Sequence, residues 1–411
     1  MSNKLKILKS SDHKSNKEPI PALILGMGVH GLAVIRSLGR KGIYVEAACT
    51  DNCQPHQYSK YCKKFHHINS LDSFDVIEFL IENGKDKATK QALFITRDKT
   101  ASIVSKHRER IGKYYYFNLP QHAIVEKLIN KVTLPLFLEK TKTLYPKTIH
   151  IPLRQLPSIP ENLSFPLILK PALRNYHFKA ALVYSEEELL SQLNILELGT
   201  DVIIQEWVPG TDSDVFFCFV YIDKNGTEKA VFVGKKTRQY PRNFGIACDM
   251  IGCENEHVRK ESLRLLKMAN YRGFGSTEFR RNPQNGKYYF IEFTVGRTDF
   301  NVACAIDNGV DIPFIGYSDM VDLEGTHPLP FQNNKVRWVN LEVNLKALKE
   351  EYLHGTSSKK DIIKEFLQTL SPFNSFTLFD IDDLKPFIRM TFTLGVRVMR
   401  RIGKLVRKIK H

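Results

Sequence analysis

Two glutamates in a predicted β-hairpin are the residues whose types and spacing point most directly to chemistry. Glu278 and Glu292 lie in two strand-like segments separated by the turn-forming run Asn282-Pro-Gln-Asn-Gly286. With a loop of about five residues, the two glutamates face each other at roughly 5 Å between Cβ atoms. Carboxylates this close need a cation, and their oxygens are ligands that magnesium prefers. The pattern predicts a metal site; the alternatives are an acid pair balanced by Arg280 or Arg297, or an even-length loop that separates them.

Basic residues supply the complementary half of a phosphate-handling site. Lys131 and Lys170 lie on otherwise apolar elements, and Lys170 ends the short strand that starts at Leu167. A lysine at the end of a buried strand is costly unless an anion meets it. The run from Lys235 to Arg238 adds a dense positive cluster. Carboxylates, magnesium and converging lysines together describe phosphoryl transfer, although each lysine alone could simply extend to solvent.

A glycine motif near the N-terminus suggests a second chemistry. Gly26, Gly28 and Gly31 follow an apolar strand with the G-x-G-x-x-G spacing of dinucleotide-binding proteins. Glu46 or Asp51 lies at roughly the right distance to bind a ribose hydroxyl. The same glycines also let a helix pack tightly on a sheet. Nicotinamide or flavin binding and a purely structural role are both open on this motif.

The elements that must position these residues indicate an α/β protein. An apolar strand, the glycine turn, a helix and a strand over residues 43–48 form the start of a parallel βαβ sheet. From about residue 120 the chain becomes rich in long strands, and the periodicity predicts one helix over residues 125–138 that carries Lys131. Residues 331–383 are mostly helical by pattern and suggest an appendage.

Length and composition exclude several classes of protein. The 411 residues, 43% of them hydrophobic and 25% charged, are enough for two or three globular domains. No apolar run approaches the roughly 18 residues of a membrane span, and no apolar signal segment is visible. The seven cysteines form no CxxC pair, so a zinc site is not predicted. We expect a reduced, cytoplasmic protein.

The net charge of +16 is concentrated at the C-terminus. Residues 384–411 contain nine lysines and arginines and no acid. Val398, Ile402, Leu405 and Ile409 lie on one face of a helix, with basic residues around the remainder. A basic amphipathic helix suits an anionic membrane surface. A protein or anionic polymer is the alternative partner, and nucleic acid is disfavoured because no aromatic residue of the kind that stacks on bases follows Phe392.

Seven short motifs follow one another in a characteristic order. They are Thr96-Arg-Asp98, Phe165-Pro-Leu-Ile-Leu-Lys170-Pro171, Gln205-Glu-Trp-Val-Pro-Gly210, Lys236-Thr-Arg-Gln-Tyr-Pro-Arg-Asn-Phe-Gly245, Ser276-Thr-Glu278-Phe, Ile291-Glu292 and Arg337-Trp338. Each motif alone is common, but their order and spacing resemble the ATP-grasp carboxylate–amine ligases, a family that includes D-aspartate ligases. The resemblance covers residues from about 22 to about 387.

The resemblance implies a Rossmann-like pre-ATP-grasp domain followed by a two-lobed ATP-grasp fold with a helical C-terminal extension. We expect a flexible basic tail over 1–18, the first domain over 19–120, and the ATP-grasp domain over 121–330. A helical appendage over 331–383 and a basic amphipathic tail over 384–411 follow. In this scheme the glycine motif belongs to the first domain and need not bind NAD.

The same resemblance implies roles for individual residues. Residues implied to bind ATP are Lys131, Lys170, Lys179, Gln205, Glu206, Trp207, Val208 and Asp214. Residues implied to act on the triphosphate, the acceptor carboxylate or the acylphosphate are Lys236, Arg238 and Arg297. Residues implied to hold magnesium are Glu278, Glu292 and Thr294. The family usually has asparagine where Thr294 stands, which leaves one or two magnesium ions open.

The implied activity is ATP-dependent joining of a carboxylate to an amine through an acylphosphate, with release of ADP and phosphate. The amine is expected to be an amino acid, and the carboxylate a small molecule or part of a cell-wall or polysaccharide precursor. The basic tail suggests a peripheral position at the inner face of the membrane. The alternatives are an NAD(P)-dependent oxidoreductase that uses the glycine motif, and a non-catalytic homologue that binds membrane or polymer.

Overall fold

The computed structural model describes residues 18–50, 55–152, 163–172, 180–196, 200–323, 330–354 and 358–393. The predictions for Lys179, for residues 1–17 of the N-terminal tail and for residues 394–411 of the C-terminal tail lie outside these residues. Within the described part of the chain, every helix is too short or too polar to cross a bilayer.

The N-terminal part of the chain forms a five-stranded parallel sheet in the order β3-β2-β1-β4-β5. Its elements are β1 (Ala22–Leu25), α1 (Gly28–Arg40), β2 (Val45–Cys49), β3 (Cys62–His67), α2 (Asp75–Lys85), β4 (Gln91–Ile95), α3 (Asp98–Lys106), α4 (Arg108–Ile111) and β5 (Tyr115–Tyr116). Every residue of β1, β2 and β4 is buried, as expected for central strands of a sheet covered on both faces. The predicted βαβ start is confirmed. Cys49 is disulfide-bonded, contrary to the expectation of reduced cysteines.

Close packing explains the glycine motif between β1 and α1. Gly26 has a φ of 86°, and a Cβ atom there would lie 2.2 Å from Thr96 Oγ1. A Cβ atom on Gly31 would lie 2.5 Å from the carbonyl oxygen of Gly26. The turn therefore needs glycine in order to pack α1 against β1 and the end of β4, whether or not a cofactor is present.

The rest of the chain forms two further sheets. A four-stranded antiparallel sheet has the order β6-β9-β7-β8, and a seven-stranded sheet has the order β14-β13-β10-β11-β12-β15-β16. Two helices that pack against the seven-stranded sheet come first, α5 (His122–Ile129) and α6 (Leu134–Lys140). The elements of the four-stranded sheet follow: β6 (Thr148–Pro152), β7 (Leu167–Pro171), β8 (Ala181–Val183), α7 (Glu186–Asn194) and β9 (Asp201–Glu206). The elements that follow are β10 (Val215–Ile222), β11 (Glu228–Tyr240), β12 (Ile246–Gly252), α8 (Glu256–Met268), β13 (Gly273–Arg281), β14 (Tyr288–Val295), α9 (Val302–Asp307), α10 (Ile312–Met320), β15 (Arg337–Val339), α11 (Leu341–Leu353), α12 (Lys359–Thr369) and β16 (Ser375–Phe376).

The single helix predicted over residues 125–138 is wrong. The chain forms α5 and α6, and Lys131 lies in the loop between them. Pro135 in the first turn of α6 favours a new helix start, because proline has no backbone N–H to donate within a continuing helix. The Asn130 side chain accepts a hydrogen bond from the Val132 backbone N–H at 2.9 Å and stabilises the break. Lys131 is consequently presented by a loop and not by a helix face.

Residues 331–383 contain the expected helices, α11 and α12, but they also extend the seven-stranded sheet. β15 pairs with β12, and β16 pairs in parallel with β15. The sequence pattern did not predict β15 and β16, because strands of two or three residues are too short to show periodicity. This part of the chain is thus joined to the main sheet by backbone hydrogen bonds.

A buried ion pair connects the C-terminal part of the chain to the N-terminal domain. Arg36, on α1, donates from Nε to Asp383 Oδ2 at 3.0 Å and from its other nitrogens to the carbonyl oxygens of Thr377, Leu378 and Asp383. Asp383 also accepts from Ser59 Oγ at 2.6 Å and from the Lys60 backbone N–H at 2.9 Å. Both partners are buried, so each charge depends on the other.

Replacing Asp383 with Asn is expected to lower the free energy of unfolding by about 3 kcal/mol, because the buried Arg36 charge loses its main counter-ion. Chemical denaturation followed by circular dichroism measures the effect. Asp382→Asn is the matched control, since its carboxylate is exposed and bonds Lys60 Nζ at the surface. Equal losses in the two variants would contradict the central role of the buried pair.

Candidate active site

A cavity of about 520 Å³ lies between the four-stranded and seven-stranded sheets. Most of the residues that the sequence assigned to the site line it together, although they come from several separate elements. The predicted residues that line the cavity are Lys131, Lys170, Gln205, Glu206, Trp207, Val208, Lys236, Glu278 and Glu292.

The two glutamates of the hairpin face each other as predicted. Glu278 on β13 is the direct partner of Glu292 on β14. Lys236 on β11 donates from Nζ to both carboxylate oxygens of Glu278, at 3.0 and 3.1 Å. Burial raises the pKa of Glu278, the Lys236 ammonium opposes that shift, and the Glu292 carboxylate adds to it. The hairpin thus holds two carboxylates together, with the Lys236 ammonium bonded to one of them.

The register of the hairpin changes immediately beyond the two glutamates. Phe279 pairs with Phe290 and not with Ile291, which leaves Ile291 as the extra residue of a bulge. Strict alternation along the hairpin predicts that Ile291 points to the apolar face together with Phe279 and Phe293. Phe279 and Phe293 are buried in the core, but Ile291 is half-buried and lines the cavity beside Glu292.

Lys170 forms the centre of a positively charged wall opposite the glutamates. Burial, followed by the charge of Lys131, lowers its pKa to about 8, while Glu292 and Glu278 partly oppose this shift. Its Nζ donates to Gln205 Oε1 at 3.1 Å, and Gln205 in turn donates to Thr148 Oγ1 at 2.8 Å. A lysine held in this way would gain from an anion, because an anion restores the stability of its charged form.

Arg280 also lines the cavity, and sequence reasoning considered it only as a possible counter-ion. Its guanidinium lies 4.1 Å from the centre of the Trp207 ring. It donates to the carbonyl oxygens of Gly210 and Asn243, at 2.6 and 3.1 Å, and burial lowers its pKa. Alternation along β13 gives the signal that could have found it, because Glu278 and Arg280 are two residues apart and share a face.

Three of the predicted residues occupy other places. Arg238 is buried and donates to Glu351 Oε1 at 2.9 Å and to Asn344 Oδ1 at 3.1 Å, so it fastens α11 to the sheet. Asp214 accepts the Thr211 backbone N–H at 2.8 Å. Neither is among the described residues that line the cavity. Arg238 and Asp214 thus have structural roles that do not require a ligand.

The third residue, Arg297, lies one side chain behind the cavity wall. It donates from Nε to Asp98 Oδ1 at 2.5 Å, and Asp98 itself lines the cavity. Burial alone would lower the pKa of Arg297, but Asp98 raises it. An anion at this end of the cavity would have to share Arg297 with Asp98, or displace Asp98.

A small second cavity adjoins the glutamate pair and contains an acid that sequence reasoning missed. Asp299 lines it together with Glu278, Glu292 and Thr294. Ser276 Oγ and Thr294 Oγ1, the latter at 3.1 Å, both donate to Asp299 Oδ2. Thr294 is therefore beside the proposed metal site, but its proton is committed to Asp299. The sequence feature that could have identified Asp299 was its position in the loop directly after β14, the strand that carries Glu292.

The donor set fits magnesium in one specific way. Among the residues that the structure describes, no cluster of three or more His, Cys, Asp and Glu side chains could hold a metal. Glu278 and Glu292 supply two carboxylates on one face of the hairpin. Magnesium commonly binds through one or two carboxylates and completes its shell with phosphates and water. These residues fit an ion that arrives with a phosphate ligand and not a permanent protein cage.

The acid that could have bound a nicotinamide ribose is already engaged. Glu46 is bonded by His66 Nε2 at 2.5 Å, by Lys87 Nζ at 2.5 Å and by Gln91 Nε2 at 3.2 Å. Burial alone would raise the pKa of Glu46, yet these contacts lower it to about 2. Asp51, the other candidate, lies outside the described residues. A ribose hydroxyl would have to displace a buried ion pair to reach Glu46.

Known proteins similar to this chain include two kinds of ligase. No protein-family model matches the chain. A D-aspartate ligase from Enterococcus faecium (strain Aus0004) is 26% identical over 326 residues, which cover 72% of this chain and 75% of that protein. The crystal structure of an L-amino acid ligase from Bacillus licheniformis gives a TM-score of 0.58 at 15% identity, over 77% of this chain and 76% of the other.

The structure of N5-carboxyaminoimidazole synthetase from Staphylococcus aureus complexed with ADP is also similar. It gives a TM-score of 0.59 at 14% identity, over 77% of this chain and 82% of the other. At such low identity the two structural likenesses show a shared fold.

The lowered pKa of Lys170 predicts that binding of a phosphate-bearing ligand such as ATP in this cavity depends on pH. The charged form of Lys170 is lost as the pH rises through about 8, so the affinity for ATP is expected to fall over that range. At pH 8, binding is expected to take up roughly half a proton at this lysine, because phosphates favour its charged form. Calorimetry in two buffers of different ionisation enthalpy measures the uptake. Lys170→Met should abolish it and the exposed Lys140→Met should not; equal uptake in both would contradict this assignment.

Proposed function

We propose that this chain, which has the ATP-grasp fold and is a homologue of the carboxylate–amine ligases, joins a carboxylate to an amine with ATP as the phosphoryl donor. The observation that carries the proposal is the convergence of Lys131, Lys170 and Lys236 with the opposed pair Glu278 and Glu292 in one cavity. Such a site suits a triphosphate together with a divalent cation.

The chemical need for ATP follows from the substrate. A carboxylate is a poor electrophile because oxide is a poor leaving group. Transfer of the terminal phosphoryl group gives an acylphosphate, and attack by an amine then gives an amide and phosphate, with ADP left from the first step. Magnesium bound by Glu278 and Glu292 would neutralise charge on the phosphates. The protein contributes positioning and charge stabilisation.

The main residues in and behind the cavity wall have defined tasks in this proposal. Lys131 and Lys170 bind phosphate oxygens, and Gln205 orients Lys170 through the hydrogen bond at 3.1 Å. The chain leaving β9 at Glu206, Trp207 and Val208 contacts the adenine through its backbone. Lys236 favours the ionised form of Glu278 and so opposes the effect of burial on its pKa. Arg297 stabilises charge on the transferred phosphoryl group once Asp98 releases it.

Asp299 is proposed to take the proton of the attacking amine. An amine must be neutral to attack, and its proton must leave as the amide forms. Asp299 shares a small cavity with both metal-binding glutamates, and bonds from Ser276 and Thr294 orient its carboxylate. This position lies beside the metal-binding glutamates and shares its small cavity with Lys236.

The finer identity of the substrates is also a proposal. An amino acid as the amine is supported by the relatives, one named a D-aspartate ligase and the other an L-amino acid ligase. A glycan-linked or cell-wall precursor as the carboxylate is suggested only by the basic segment 384–411, which would keep the protein at an anionic membrane surface. One magnesium ion is favoured over two. Thr294 stands where the family usually has an asparagine ligand, and its hydroxyl donates a hydrogen bond to Asp299.

The test is release of ADP and phosphate from ATP and magnesium with pooled amino acids and pooled carboxylates. Release that depends on an added pool is expected, and Glu292→Gln is expected to lower it by about 100-fold or more. The exposed Glu139→Gln is the matched control and should behave as wild type. Failure of ATP and magnesium to raise the melting temperature of the wild-type protein would exclude the ligase.

Asp299→Asn separates acylphosphate formation from amine attack. With the amino-acid amine, we expect the rate to fall by roughly 100-fold or more, because a general base typically contributes 10²–10⁴. Hydroxylamine is largely neutral at pH 7 and needs no base, so the yield of hydroxamate should stay close to wild type. The colour of the ferric hydroxamate complex measures it. Loss of both products together would assign Asp299 to the metal site instead.

A further inference from the structure

Helix α12 carries its apolar residues on the side turned away from the protein. Ile363, Phe366, Leu367 and Leu370, the last just beyond the helix end, recur at the spacing of one helical face and form what we call the α12 stripe. Their exposed fractions are 60%, 40%, 63% and 47%. Such a face normally packs against a core, yet Thr369 is the one residue of α12 that is buried.

Polar contacts on the opposite face fix the orientation of the helix. Glu365 bonds Arg337 at 3.1 Å and lies 3.5 Å from the buried Arg238. Thr369 Oγ1 accepts from Asn344 Nδ2 on α11 at 2.8 Å. Turning the α12 stripe inward would break these contacts and bury apolar groups against charges. The helix is thus held with its polar face inward and its apolar face outward.

The charges around the α12 stripe have one sign. With about 100° between successive residues, Lys360 and Lys364 lie along one border of the stripe and Lys359 at its N-terminal end. All three are exposed. Asp361 and Glu365 lie on the far side of the helix. An apolar stripe bordered by lysines, with the acids turned away, is the pattern of a helix that lies in a membrane surface.

The chain after α12 repeats the pattern. Residues 385–393 are helical, and Leu384, Ile388 and Phe392 recur every four residues and are exposed. Arg389 lies 4.4 Å from the centre of the Tyr58 ring, which attaches this helix to the N-terminal domain. Residues 394–411 then add seven lysines and arginines and no acid.

We propose that the α12 stripe docks in the surface of an anionic membrane, with its apolar side chains at the boundary of headgroups and acyl chains and Lys359, Lys360 and Lys364 on lipid phosphates. A second copy of the chain is disfavoured, because in a symmetric contact between two stripes the lysine border would meet no acid of the partner's α12, since Asp361 and Glu365 lie on the far side of the helix. The chain's own segment 394–411 is disfavoured for the same reason, since it is basic throughout. An anionic lipid surface satisfies both the apolar face and the charge.

Sedimentation of the full-length protein with phosphatidylcholine vesicles, with and without phosphatidylglycerol, tests the proposal. Binding is expected only with the anionic lipid, and the double variant Phe366→Ser/Leu367→Ser is expected to bind at least about tenfold more weakly. Leu136→Ser and Ile195→Ser are matched controls, because both are exposed apolar residues elsewhere in the chain, at 67% and 74%. Melting temperatures with and without ATP verify that every variant is folded.

Direct insertion is measured with tryptophan. Phe366→Trp should show a blue shift and quenching by brominated lipids in anionic vesicles, whereas Leu136→Trp should show neither. If the double serine variant binds vesicles as tightly as the wild type, the proposal is overturned. It is equally overturned if that variant binds normally and only removal of residues 394–411 abolishes binding. Light scattering that shows a wild-type dimer and a monomeric serine variant would also overturn it, in favour of an interface between copies. These results are independent of ADP release without vesicles, so the proposal and the ligase activity can fail separately.

Discussion

Two carboxylates held opposite each other on one sheet face repel, and the rest of the site depends on keeping them there. The hairpin β13–β14 fixes their separation through backbone hydrogen bonds. Lys236 supplies one internal cation from the adjacent part of the sheet. Aromatic side chains, with Phe279 and Phe290 in an edge-to-face contact, pack behind the hairpin and limit its movement. The hairpin therefore keeps the two carboxylates side by side, which is the basis for proposing a magnesium site there.

The opposite wall of the cavity contains positive charges that burial and mutual repulsion disfavour. Lys170 loses solvation and is repelled by Lys131, so its charge is weakened before any ligand arrives. A polyphosphate with its cation would relieve both walls at once, because its negative groups would meet the lysines and its cation would meet the glutamates. Lys170 and the glutamates belong to different sheets, so such a ligand would also connect the two sheets.

Local sequence patterns were sufficient for the features of the site that depend on neighbouring residues. Turn chemistry and alternation predicted that Glu278 faces Glu292, and these depend only on residues 276–293. The bulge at Ile291 was not predictable, because residues 288–291 are all aromatic or apolar and their pattern does not distinguish the two faces of the strand. The true role of Arg238 was also hidden, since its partner Glu351 is 113 residues away and a single sequence does not say which distant acid will meet a given arginine.

The contact between Arg36 and Asp383 has a consequence for how the protein is made. The two residues are 347 positions apart, and the arginine belongs to the first helix of the first sheet domain. During synthesis that domain leaves the ribosome long before its buried counter-ion exists. Its strands can form early, but the surface around α1 reaches its final state only when nearly the whole chain has emerged. A shortened chain that stops before residue 383 would therefore present the cell with an N-terminal domain whose buried charge is never matched.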